Sequence, residues 1–567
     1  MACDLLSSLC DGVLARILSL LPADEAARAA VLSRLWRYIF SAVDVLSFKE
    51  TADRPIPPWE DGDWSSPSSY GRPDEDPHYI PCEPFALRVC AAIGSRHRGR
   101  RVPVAPLRAL RVAFKEFEGN DAKSAPAVDW WLSHAAYQSG EELLVDLRFD
   151  VKPLCDRVYA TVNEDIEVPD HEDNMEEEED SDDDMVVEEQ FASTEYFVPS
   201  FLFRCATLRT LRIGPCRLNP PATISLPSLD TMHLIRVTDQ NATIKRLVSG
   251  CPRLADLTLE ACNNVTKLSV CDTTRLRRVA LRCCHNLKTV AADLTELRTF
   301  EYRGGVPPPK FRRSMDNPSR ITSCVLDFCG WEITDPGALV SLRNFFHLFA
   351  SARHLELKSA RLGAGVSHGV FSRSPALPIF ASLRELELTG ILHNEDTATV
   401  ATVTRILERT PSLEILSLFF LPEPLKERDQ YRHYSNEDIF NEHCLKYDRY
   451  ASLVVPVSME IPCLRKRTKE INFVHYQGAL AQRRLAKFLL RNAPMVAEVC
   501  CEFAKGPLTM QTQLMEEIRG WVLNKSANMI TIMVIARKRE RFKMQGIELW
   551  SGIHDLLQAE KRDDAAL

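Results

Sequence analysis

The chain has no Cys-x-x-Cys pair, no His-Glu-x-x-His, no Gly-x-Ser-x-Gly and no glycine-rich phosphate loop. The first absence argues against a zinc ribbon or a redox motif, despite 18 cysteines. The others remove the marks of zinc proteases, serine hydrolases and P-loop enzymes, and no Cys stands beside a His in a way that singles out a nucleophile. No enzyme activity, cofactor or metal is therefore expected. Met529 to Ala536 is an apolar-rich stretch of only eight residues, far short of the roughly 20 that span a bilayer. The start, Met1-Ala2-Cys3-Asp4, has neither a basic n-region nor a cleavage pattern. An intracellular, reduced protein of nucleus and/or cytoplasm is expected, with no membrane partner.

Lysine and arginine are missing from Glu164 to Glu189, which holds 16 Asp and Glu. This run contributes −16 to a net charge of −8, so the remainder stands at +8. It has almost nothing to bury and repels itself, so residues 161–192 are expected to be a disordered insertion. It serves either as a solvated loop or as a tether for a basic partner. Ser181 before Asp182-Asp183-Asp184 suits an acidophilic kinase.

At 567 residues there is room for two to four domains. Leu9, Val13, Leu14, Ile17 and Leu18 mark one face of an amphipathic helix, which Pro22 ends. Asp24 is placed to N-cap a second helix, slim through Ala26, Ala27, Ala29 and Ala30, with an apolar stripe continued by Val31, Leu32, Leu35 and Trp36. Some 40 residues need a covering surface to be stable. Pattern alone serves equally a hairpin packed on the next domain and one that docks on a partner.

Residues 46–104 are expected to be linker, partly disordered, with Thr51 to Pro84 rich in Pro, Ser, Gly and Asp and Arg96, Arg98, Arg100 and Arg101 in a solvated basic turn. Leu107 to Val112 and Leu143 to Phe149 read as strands and Ala127 to Gln138 as a helix between them, a parallel connection. Residues 105–160 thus form first irregular units.

From Phe201 the sequence repeats itself. Leu208-x-x-Leu211-x-Ile213, Leu254-x-x-Leu257-x-Leu259 and Leu276-x-x-Val279-x-Leu281 share a pattern, and lead positions 208, 229, 254, 276 and 297 keep leucine-rich-repeat spacing. One strand per repeat and a core closed by stacking follow. Cys216, Cys262 and Cys284 fall in the inward Cys/Asn slot of such repeats and are expected to be core. Later leads at 352, 383 and 413 leave room for helices over Gly337 to Phe349 and Thr397 to Arg409. Pro422 to Asp448 reads as a surface loop. The fold class is α/β, a leucine-rich-repeat solenoid (horseshoe) over 193–455, preceded by a small all-α unit at 1–45. Solvent-side strand positions Arg209, Arg212, His233, Thr258, Glu260 and Arg282 are candidates for a target-binding face.

Two stretches resemble a known family. L-x-D-x-V-L-x-x-I-L-S-x-L-P followed by V-L-S-R-x-W-R, over Leu9 to Arg37, resembles the F-box of plant proteins. Cys463-Leu464, K-E-I-x-F at Lys469 to Phe473, Gly478 and A-K-F-L-L-R-N-A-P at Ala486 to Pro494 resemble the FBD domain that closes plant F-box/leucine-rich-repeat proteins. The second resemblance implies a capping block at 456–536, ahead of a basic tail at 537–567. The first implies that Leu9, Val13, Ile17, Leu18, Leu21, Pro22, Val31, Leu32 and Trp36 build or border a surface for a Skp-family adaptor, and through it cullin. It further implies a substrate-recognition subunit of a Skp–cullin–F-box ubiquitin ligase, with an unnamed protein target. Cys10, where Pro is usual, and Leu35, where Arg or Lys is usual, depart from the pattern. The alternative is a free-standing repeat scaffold whose acidic segment binds a basic partner. Nucleic-acid binding through Arg465-Lys466-Arg467 and the cluster at Arg537 lacks interleaved aromatics and is not expected.

Overall fold

The computed structural model describes residues 9–50, 84–97, 104–115, 117, 124–149, 155, 157, 159, 195–270, 275–293, 296–313, 315–316, 321–363, 377–393, 399–421, 445–453 and 460–531. The acidic run, most of Pro422 to Asp448 and the tail from 532 onward lie outside them, as do Arg98, Arg100 and Arg101. The chain divides into two compact units, residues 1–154 with 175–276, and residues 155–174 with 277–567. Among the described residues no helix is long and apolar enough to cross a membrane.

The first unit opens with three short helices, α1 (Asp11–Leu18), α2 (Ala23–Leu32) and α3 (Arg34–Ser41). Two sequence expectations are corrected here. Asp24 is not an N-cap: Pro22 takes that position, its carbonyl accepting from Ala26 N–H at 3.0 Å. Asp24 lies in the first turn instead, where a carboxylate favours the helix dipole, 3.6 Å from Arg88. The second helix also does not run on to Trp36. Ser33 is extended and its hydroxyl accepts from Trp36 N–H at 3.2 Å. A serine N-cap satisfies one of the donors that a helix start leaves orphaned, so the chain breaks there and begins α3.

Residues 46–104 are not simply linker. β1 (Val45–Lys49) and α4 (Phe85–Ser95) fall there, with 51–83 outside the described residues. α4 buries Phe85, Ala86, Val89, Ala92 and Ile93, a helical spacing masked by the Pro- and Ser-rich sequence before it. Arg96 is buried, donating to the carbonyls of Val43 at 2.6 Å and Ala105 at 3.0 Å. Burial lowers its pKa to about 10. It ties α4 to the β1 start rather than forming a solvated turn.

β2 (Leu107–Ala113), α5 (Ser124–Gln138) and β3 (Ser139–Arg148) follow as expected, and β2 and β3 pair in parallel. Then come β4 (Leu208–Gly214), β5 (Thr231–Ile235), α6 (Asn241–Ser249), β6 (Asp256–Glu260) and β7 (Lys267–Val270). Strands β1 to β6 form one parallel sheet in chain order. Its register stacks Leu46, Leu110, Val145, Leu211, Met232 and Leu257 in a single row, all fully buried. A period of two along each strand sends the next residue to the other face, so the apolar side is continuous from strand to strand. Phe117, Phe149 and Tyr196 pack ring on ring beside it, with the Tyr196 hydroxyl donating to Asp129 at 2.7 Å.

The second unit holds β8 (Arg278–Arg282), β9 (Thr289–Asp293), β10 (Thr299–Gly304), α7 (Pro309–Arg313), β11 (Met315–Asp316), β12 (Ser323–Phe328), α8 (Pro336–Phe346), β13 (His354–Arg361) and β14 (Glu385–Ile391). It continues with α9 (Thr399–Glu408), β15 (Ile415–Leu421), α10 (Pro462–Lys466), β16 (Glu470–Tyr476), α11 (Leu480–Asn492), β17 (Glu498–Phe503), α12 (Leu508–Trp521) and β18 (Asn528–Thr531). The parallel order is β8-β10-β12-β13-β14-β15-β16-β17-β18. Val279, Phe300, Cys324, Leu355, Leu386, Leu416, Ile471 and Val499 form its buried row. Phe300 stacks on Phe349 at 5.4 Å, and Phe345 meets Tyr302, Phe311 and Phe349 edge-on.

The repeat cysteines are core: Cys216, Cys262 and Cys284 are buried, and Cys262 and Cys284 reach strand-end carbonyls through sulfur. The closing block extends the same sheet, with α11 burying Leu485, Phe488 and Leu489. Gly478 sits at φ +71, where a side chain is strained, and a Cβ there would come within 2.7 Å of Leu514.

Candidate docking site and polar face

The three N-terminal helices place apolar side chains on both sides. Leu14, Leu18, Ala23, Ala26, Ala30, Ile39 and Phe40 are buried, the alanines letting α2 lie close to its neighbours. Outside lie Leu9, Val13, Leu20, Leu21, Tyr38 and, most of all, Val31 at 75 % and Leu32 at 80 % exposure. Ile17, Pro22, Leu35 and Trp36 are half-buried. The nine residues singled out from sequence therefore separate. Leu18 holds the unit together from inside, while Leu9, Val13, Leu21, Val31 and Leu32 are available to another surface. Leu20, just past the end of α1, and Tyr38, within α3, join the exposed set. Covering an exposed Val or Leu contributes about 1.5–3 kcal/mol.

On the strands, the candidate target residues are engaged with neighbouring side chains rather than standing free. Arg111, Asp146, Arg212, His233 and Thr258 form one polar row in register across β2 to β6. Arg212 lies 3.8 Å from Asp146, which Arg148 also holds at 2.9 Å. His233 Nε2 pairs closely with the Glu260 carboxylate, and His233, Thr258 and Glu260 are all buried. Arg209 is exposed and paired with Glu142. Arg282 belongs to the second unit, where its Nε donates to Glu301 at 2.5 Å.

The second unit continues this pattern. Arg282, Arg303, Asp327, Lys358 and Thr389 share a row across β8, β10, β12, β13 and β14. Beside it, Glu356 and Glu387 are opposed and buried. Burial pushes the Glu387 carboxyl up to about 7; burial, then the neighbouring Glu387, pushes Glu356 well above the usual range. Sequence reasoning named no target-binding candidate on β12 to β14, because a carboxylate on a solvent-side position reads as ordinary. The arrangement offers paired charges and hydrogen-bonding groups, the chemistry of recognition.

Comparison with known proteins places both regions. Residues 6–48 match the F-box domain family, and residues 182–315 match the leucine-rich repeats of the FBD-associated F-box protein At5g56370 family. The chain thus carries an F-box and FBD-associated leucine-rich repeats and is similar to plant F-box/leucine-rich-repeat/FBD proteins. The Arabidopsis thaliana F-box/LRR-repeat protein At3g59210 is 25% identical over 320 residues, covering 53% of this chain and 50% of the relative. F-box/FBD/LRR-repeat protein At3g52680 is 26% identical over 259 residues, covering 45% and 40%. FBD-associated F-box protein At5g27750, also from Arabidopsis, is 44% identical over 64 residues, covering 11% and 14%. The chain spans about half the length, or less, of these curated relatives. The F-box of this protein thus runs from α1 into β1, and every exposed apolar residue named on the three helices lies inside it.

Proposed function

We propose that this F-box protein is the substrate-recognition subunit of a Skp–cullin–F-box ubiquitin ligase, acting in nucleus and/or cytoplasm. Its F-box docks on a Skp-type adaptor, and the polar rows, carried on a horseshoe of repeats, hold the target protein. The observation that carries the reading is the exposure of Val31 and Leu32 at the end of α2, inside a matched F-box. Two large apolar side chains left in water invite a covering surface. Proteins of this type are as a class non-catalytic adaptors. Ubiquitin transfer would gain rate from local concentration and orientation of the bound target, with no bond-making residue of this chain.

Co-precipitation with a recombinant Skp-type adaptor tests the reading. Deleting residues 1–48 should abolish recovery of the adaptor, and deleting 164–189 should leave it intact. The opposite pattern would favour a scaffold that binds a basic partner through its acidic run.

A further inference from the structure

The second unit gathers four side chains of metal-ligand type. Cys283 directly follows β8, Cys329 directly follows β12, His285 lies in the turn after Cys283, and Cys155 comes from far upstream. One ligand atom from each, three Sγ and an imidazole nitrogen, all lie within 4.8 Å of one another. We propose that Cys155, Cys283, His285 and Cys329 form a tetrahedral Cys3His zinc site that staples the Cys155 segment to the strand ends of the repeats.

The backbone holds the ligands in place. Cys283 N–H donates to the Arg303 carbonyl at 2.6 Å and Cys329 N–H to the Gly304 carbonyl at 3.1 Å, so both cysteines are fixed to β10, which lies between their strands. Cys283 has φ +53, the left-handed conformation that Arg236 and Ala261 also adopt directly after their strands. The repeat turn thus sets where its Sγ goes. The upstream segment is pinned at alternate residues. Arg157 lies against Gly305 and Gly330, where added Cβ atoms would come within 3.3 and 3.6 Å of it. The Tyr159 hydroxyl donates to Asp327 at 2.6 Å, and Lys358 Nζ stands 4.5 Å from the Tyr159 ring centre.

The donor set chooses the ion. Three sulfurs and an imidazole suit zinc and do not suit magnesium or calcium, which take oxygen. A zinc–sulfur bond of about 2.3 Å gives a tetrahedral edge near 3.8 Å, inside the 4.8 Å that bounds the ligand atoms. Both ring nitrogens of His285 are buried and engaged by no oxygen or nitrogen; sulfur faces the ring instead. A buried ring nitrogen without a partner carries a desolvation cost, which a metal bond on one of them removes. Zinc with three thiolates and a neutral imidazole carries one negative charge, the three thiol protons leaving to solvent on binding. Arg303 acts electrostatically on both Cys155 and Cys283 and offsets that charge. The spacing of the sequence hid this site, since its ligands come from three distant segments and its only local pair is Cys-x-His.

Metal analysis of the 567-residue chain, purified under anaerobic reducing conditions and dialysed against metal-free buffer, tests the proposal. Wild type and the off-site variant Cys205→Ser should each carry about one zinc, and Cys155→Ser and His285→Ala about tenfold less or lower still. Cobalt(II) exchanged into the wild type should show tetrahedral d–d bands with thiolate-to-cobalt charge transfer. These wild-type measurements decide the matter even if a variant does not fold. Zinc at a tenth of an equivalent or less in the wild type, zinc retained by both site variants, or a disulfide joining any two of Cys155, Cys283 and Cys329 would overturn it.

Discussion

The F-box and the strand rows behind it treat apolar side chains in opposite ways. In the described repeats the leucines of the L-x-L pattern fall in a continuous buried row, and the polar residues between them lie in register across strands. In the F-box a few alanines and leucines suffice for the interior, and comparably large residues, Val31 and Leu32, stay in water. Three helices of eight, ten and eight residues cannot enclose all their apolar surface. The repeats stack neighbour on neighbour and can. One region is complete in itself, and the other has surface to spare.

Substitutions can break that contrast or sharpen it. The largest effect is expected at the stacked core: Phe300→Ala, which removes the ring packed on Phe349, should destabilise the second unit by about 3–5 kcal/mol. Denaturant melts should show this loss while adaptor affinity stays unchanged. Leu18→Ala should cost about 2–5 kcal/mol by opening a cavity inside the F-box, and it should weaken adaptor binding only in proportion to the F-box unfolded. Glu387→Gln comes next. The Glu387 carboxyl is raised to about 7 when folded, so the folded protein holds the proton more tightly than the unfolded chain does. Its contribution to stability is intact below the usual carboxylate range and is lost as pH rises through about 7. Wild-type melts should therefore fall from pH 5 to pH 8 by an amount on the order of 2 kcal/mol, and the glutamine variant should fall less. Ser33→Ala is the mildest, about 1 kcal/mol from loss of the helix cap, read as a small drop in melting temperature.

Much of the fold was legible because stacking imposes a period. The lead at 208 opens a strand and those at 229, 254, 276 and 297 each precede one, and Leu355, Leu386, Leu416 and Ile471 keep the row going into the closing block. What escaped lacked a period or depended on distance. β1 and α4 were hidden by the Pro- and Ser-rich sequence around them, and Arg96 resembled its solvated neighbours until the carbonyls of Val43 and Ala105 were seen beside it. The break at Ser33 was missed because an apolar stripe can run on in sequence while the helix does not. Within the candidate sites, a helical pattern names a face but cannot say which of Leu18 and Leu32 is inside. Solvent-side strand positions likewise do not reveal that His233 is held by Glu260.

Affinity for a Skp-type adaptor, measured for wild type, Leu32→Glu and the pair Val31→Glu with Leu32→Glu, tests the central claim most directly. The account predicts that melting temperatures stay unchanged while binding weakens by about tenfold for the single variant and about a hundredfold for the pair, as expected when exposed apolar side chains supply docking energy. Wild-type affinity in a folded double variant would contradict it.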